Sequence, residues 1–145
     1  MAKENVVTVK FEGKLRSAYT HTEKDDNGNV SKITNVLTIS RDGLTVDGSD
    51  KVQEFFDGFY KNTAKKWIPD WFKEDKPFIV LKSAYNIHVK LDELDKKMSF
   101  SEFVERGNIG GADVIVKCNQ RENAIYPSAM LVLTEGEPYD AFADF

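Results

Sequence analysis

A mainly β chain, folded as a small antiparallel barrel, is the architecture this sequence predicts. Three observations predict it. Apolar residues alternate with polar ones along several stretches, those stretches are bounded by Gly, Asn, Asp and Pro signals, and only two segments carry a helical period instead. A chain of 145 residues is long enough for one domain with a real core, and 41% hydrophobic with 30% charged residues is ordinary for a globular protein.

Val7, Val9, Phe11, Leu15 and Tyr19 share one parity, against Thr8, Lys10, Glu12, Lys14, Arg16 and Thr20 on the other. That is a long half-buried strand, and Gly13 inside it predicts a bulge or bend. Asn27-Gly28 is a strong hairpin signal, Ile33, Leu37 and Ile39 mark the return strand, and Leu44–Val46 leaves room for a short further strand. From Ser49 the period changes. Val52, Phe55, Phe56, Phe59 and Tyr60 recur at helical spacing and place four rings on one side of a helix, capped by Ser49 or Asp47 and ended before Pro69. The stretch Lys65–Lys73 mixes Trp67, Trp71 and Phe72 with lysines, which suits either a cover for the barrel end or base stacking.

Alternation returns from Lys76 to Leu91, with Ile79, Leu81, Tyr85, Ile87, Val89 and Leu91 on one face and Lys82, Asn86, His88 and Lys90 on the other. Ser99-Phe100-Ser101-Glu102 is a capping box that opens a short second helix, and Gly107, Gly110 and Gly111 break it. Ala112, Val114, Val116 and Cys118 then define a strand. A polar loop with Arg121, Asn123, Tyr126 and Pro127 follows, and Met130–Leu133 is the apolar run of the last strand.

The segment from Glu135 to Phe145 is set apart by its charge. It holds four of the 24 acidic residues and none of the 20 basic ones, so residues 1–134 carry 20 of each and the net charge of −4 falls wholly at the end of the chain. The expected organisation is a body at 1–134 and an acidic, flexible tail at 135–145. Within the small-barrel class, a long curved first strand, a hairpin, a helix at the barrel end and a last strand pair with a prominent loop fit the OB-fold best.

The ending VIVKCNQRENAIYPSAMLVLTEGEPYDAF, followed by an acidic Phe-terminated tail, resembles phage-encoded single-stranded-DNA-binding proteins of the OB-fold type. The similarity covers about the last thirty-five residues. It implies sequence-non-specific binding of single-stranded DNA during phage replication or recombination, and a tail that contacts replication or recombination proteins through Tyr139, Asp140, Phe142, Asp144 and Phe145.

The residues themselves name the chemistry that such binding needs. Phosphates would meet Lys10, Lys14, Arg16, Lys32, Lys82, His88, Lys90, Lys117 and Arg121, and bases would stack on Tyr19 or Tyr126. Tyr85 is another ring of this kind, but it shares the parity of the core. A protein-interaction or assembly module is the alternative, with the barrel as scaffold and the aromatic acidic tail as docking peptide. Catalysis is not expected: two histidines far apart, one cysteine, no phosphate-loop motif and no G-x-S-x-G elbow leave no metal, cofactor or nucleophile constellation. Without an apolar run of signal or membrane-span length, the expectation is a cytoplasmic protein, in the host cytoplasm if phage-encoded, with no membrane partner. Oligomeric state is left open, a homodimer included.

Overall fold

The computed structural model describes residues 7–61, 68–121 and 124–138. Its backbone is β1 (Val7–Lys24), β2 (Val30–Ser40), β3 (Thr45–Val46), α1 (Val52–Lys61), α2 (Asp70–Lys73), β4 (Phe78–Ser83), β5 (His88–Leu91), β6 (Lys96–Met98), α3 (Phe100–Arg106), β7 (Asn108–Gly110), β8 (Asp113–Arg121), β9 (Ala124–Thr134) and β10 (Glu137–Pro138). The chain is mainly β, as the alternation predicts. One sheet runs in the order β4-β2-β1-β8-β9-β5-β6, with β3 paired to β1 and a separate β7–β10 ribbon.

The sheet departs from the expected barrel in two respects. It is not closed by hydrogen bonds: β4 curls round to lie beside β9, but β2 is its paired neighbour. Nor is it purely antiparallel, because β5 runs parallel to β9, with Val89 opposite Met130 and Leu91 opposite Val132. The predicted single alternation over Lys76–Leu91 is in fact two strands, β4 and β5, separated by a turn through Ala84–Ile87.

Strand β1 holds the two halves of the sheet together. Its first half pairs with β8 and its second with β2, so one chain segment serves both walls of the core. The predicted irregularity at Gly13 lies three residues further on: the register passes from Leu15 opposite Ile39 to Ser17 opposite Thr38, which makes Arg16 the bulged residue. The bulge reverses parity, so Ala18 turns into the core and Tyr19 turns out, 47% exposed. Gly13 has a different role. A Cβ there would sit 3.1 Å from both the Ile39 Cγ2 and the Leu44 Cδ1, so glycine lets β2 and the following loop pack directly on β1.

The helices form where their sequence signals lie. In α1, Phe56, Phe59 and Tyr60 are buried, with Phe56 stacked on Phe11 of β1 at 5.8 Å between centroids. Neither expected cap closes the start of α1: Asp47, in the left-handed region, accepts from the Lys10 amide, while the Ser49 hydroxyl accepts from the Lys51 amide. The short α2 adds Trp71 and Phe72 to the same aromatic cluster, with Trp71 edge-on to Phe56 at 5.4 Å. Trp71 thus covers the core, and Trp67 lies outside the described residues. The capping box opens α3 as expected, the Ser99 hydroxyl accepting from the Glu102 amide, and Gly107 ends it with φ +80°.

The segment separated by charge begins packed on the body. Glu135 accepts from the Arg106 Nε at 2.6 Å and Nη2 at 2.7 Å and from the Asn108 side-chain amide at 2.8 Å, and this bonding holds its carboxyl below the usual carboxylate range. Gly136 follows in a space no other residue fits, since a Cβ would collide with the Gly110 carbonyl oxygen. Glu137 and Pro138 then pair with β7. The tail residues Tyr139, Asp140, Phe142, Asp144 and Phe145 lie outside the described residues.

Candidate nucleic-acid interface

Alternation and register bring seven of the eleven predicted contact residues to one side of the sheet. Along β1, Val9 and Phe11 face the core while Thr8, Lys10, Glu12 and Lys14 face out. Along β8, Val114, Val116 and Cys118 face in while Asp113, Ile115, Lys117, Asn119 and Arg121 face out. Lys10 stands directly opposite Lys117, Lys117 opposite Ala129, and Ala129 opposite His88, so a row of two ammonium groups and an imidazole crosses four strands. At about 4.8 Å per strand this row spans roughly 14 Å.

The next row toward the strand ends is Thr8, Asn119 and Tyr126. It sets the Tyr126 ring, 42% exposed, beside the lysine pair. The expected loop before the last strand is shorter in the structure: Arg121 closes β8 and Tyr126 and Pro127 lie inside β9, with Pro127 buried opposite Cys118. A bulge at Ser128 makes this possible, since the register skips that residue and its hydroxyl donates to the Lys117 carbonyl. Cys118 itself is fully buried, and burial pushes its thiol up, away from the reactive thiolate.

The cations on this face are not equivalent. Lys14 is paired to Asp113 at 2.9 Å and Lys90 to Asp95 at 3.2 Å. Lys10 and Lys117 have no ion pair among the described residues, although like charges opposite one another across strands are destabilising. Lys97, opposite Lys90, extends the positive face and was not picked out from sequence.

The other four predicted residues belong to the second half of β1 and its neighbours. Tyr19, Val36 and Lys82 form one row across β1, β2 and β4, and Lys32 pairs with Glu23 further out. Arg16 is exposed, with its guanidinium 4.1 Å from the centroid of the Phe78 ring.

A groove of about 650 Å³ opens beside Arg121 and Tyr126. Ser83, Ala84, Tyr85 and Asn86 line one side, and Asn119, Arg121, Tyr126, Pro127 and Ser128 the other. Tyr85 is 83% exposed, more than any other large apolar side chain among the described residues. Its backbone is held on both sides, the carbonyl by the Asn35 side-chain amide and the amide by the Ser83 hydroxyl. A ring fixed at its root and bare at its tip has the geometry that base stacking uses. Among the described residues no group of three or more His, Cys, Asp or Glu could hold a metal ion.

The fold is that of phage single-stranded-DNA-binding proteins. The chain is similar to the single-stranded DNA-binding protein from bacteriophage Enc34, with 18% identity, a TM-score of 0.52, and coverage of 100% of this chain and 93% of that one. A second structure of the same protein, in complex with ssDNA, matches with a TM-score of 0.53, 18% identity, and coverage of 97% of this chain and 96% of that one. At this identity the likeness establishes the fold. No protein-family model matches the sequence, and no curated protein does.

Proposed function

We propose that this chain binds single-stranded DNA without sequence preference, in phage replication or recombination, with Tyr126 and Tyr85 stacking on bases and Lys10 and Lys117 meeting the backbone. The observation that carries this reading is the lysine pair. Two ammonium groups directly opposed across strands, without a carboxylate partner among the described residues, cost stability unless an anion spans them, and the stackable Tyr126 ring stands in the next row. The ssDNA complex of the structurally similar Enc34 protein supports the same ligand.

Anisotropy titrations with labelled oligo-dT and its duplex, at two salt concentrations, test the proposal. Single strand is expected to bind more tightly, with affinity falling steeply as salt rises. Equal affinity for duplex would overturn it. Tyr126→Ala and Tyr85→Ala should each weaken binding by about 1–3 kcal/mol, the range for one base–aromatic contact. A Tyr126 variant that binds like wild type and melts early would assign that ring to packing.

The acidic tail enters as a competitor and as the contact for replication or recombination proteins. Truncation must spare Glu135, because the Arg106 clamp belongs to the body. Removing residues 139–145 takes away two carboxylates and three rings, and is expected to raise ssDNA affinity at low salt, with the gain shrinking as salt screens the competition. Unchanged affinity at every salt concentration would remove the tail from the binding equilibrium.

A further inference from the structure

Beyond the sheet body, β1 and β2 continue as a two-stranded arm. Tyr19–Lys24 and Val30–Ile33 are exposed on both faces, and Tyr19, Val30 and Ile33 are three of the exposed large apolar residues, at 47%, 54% and 49%. Both edges of this arm are open among the described residues. β1 pairs with β8 only as far as Lys14, and β2 pairs with β4 only from Asn35 onward. An isolated ribbon of this kind is marginal in water, and its unpaired edges are templates for another strand.

The charges on the arm argue against nucleic acid as the occupant. Residues 19–33 carry Glu23, Asp25 and Asp26 against Lys24 and Lys32, and the carboxylates gather at the tip, where Asp25 binds the turn amides of Asn27 and Asn29. A phosphate chain would be repelled there. A strand of protein would not.

We propose that the arm is a self-association surface, on which the free edge of β1 pairs antiparallel with the same edge of a second copy. The pairing is self-complementary about Thr22. Placed on the two-fold axis, Thr22 meets its own copy, with Ile33 of each chain next in the row. On the opposite face Glu23 meets His21 of the other copy and keeps Lys32 on its other side. The Glu23 carboxylate, 3.7 Å from His21 of its own chain, then also lies between Lys32 of its own chain and the imidazole of the other copy, and Thr34 of that copy ends the row. The corresponding pairing of β2 edges is disfavoured, since the longest overlap of Val30–Thr34 sets Lys32 against Lys32.

Sedimentation equilibrium of the full chain without DNA is the test, and it is independent of the ssDNA reading. Wild type is expected to show a concentration-dependent monomer–dimer equilibrium. Glu23→Lys sets a cation against His21 and Lys32, and because the contact occurs twice it should weaken the dimer by roughly tenfold. Adding His21→Glu to that variant rebuilds the opposed charges within each chain and between copies, and should restore the dimer. A wild type that stays monomeric at every concentration, a Glu23→Lys protein that dimerises unchanged, or a double variant that dimerises no better than Glu23→Lys would each overturn the proposal. Circular dichroism and melting of each variant keep misfolding from passing as dissociation.

Discussion

Replacing Lys10 and Lys117 together by alanine is expected to weaken ssDNA binding by roughly ten- to a hundredfold at low salt, since each lysine gives up a charge-assisted bond to phosphate. The plot of log affinity against log salt should flatten by about 1.4 units, 0.7 for each phosphate of a single strand that is no longer neutralised. The same variant should melt higher than wild type. Its two alanines remove a like-charge pair that the fold holds directly opposed, a relief worth a few tenths of a kcal/mol to about 1 kcal/mol. Loss of binding joined to gain of stability is the signature of residues kept for a ligand. Lysines that serve only solubility would leave both the affinity and the salt slope unchanged, and titrations over a salt series with parallel thermal melts distinguish the cases.

Phe11→Ala is expected to cost about 3–5 kcal/mol of folding stability, the upper range for a core truncation. Phe11 is fully buried on β1, stacked on Phe56 at 5.8 Å and edge-on to Phe55 at 5.9 Å, so its ring fastens α1 to the strand shared by both halves of the sheet. Its surroundings cannot easily collapse into the space, because β1 is fixed on its flanks by β8 and β3. Urea unfolding measures the loss through the midpoint at constant slope. A cost below about 1 kcal/mol would mean that α1 slides inward to fill the cavity, and that the helix is adjustable.

What could be read from sequence was whatever is governed by neighbours along the chain. The spacing of Val52, Phe55, Phe56, Phe59 and Tyr60 specified the buried helix face, and Ser99 with Glu102 specified where α3 begins. The bulge escaped because it depends on how β1 meets two different partners. Gly13 drew attention for lacking a side chain, while the extra residue went to Arg16, which lies where pairing passes from β8 to β2. Tyr85 was given the parity of the core because Lys76–Leu91 alternates without a break, yet the chain leaves β4 at Ser83 and that parity no longer applies. Lys10 and Lys117 were each recognised as exposed cations. That they face each other follows only from the pairing of strands about a hundred residues apart in sequence. The parallel β5–β9 pairing is of the same non-local kind.

Strand β9 has a consequence for how the protein is made. It follows the other long strands among the described residues, yet it lies in the interior of the sheet, with β8 hydrogen-bonded on one side and β5 on the other. Until residues 124–134 have been translated, β5 and β6 have no strand joining them to the rest of the sheet. Until that stretch is made, the edge of β8 and the β5–β6 pair lack their partner, and such long-range closures are slow. A chain truncated before Ala124 is an aggregation-prone fragment, whereas one that extends past Thr134 contains every strand of the main sheet.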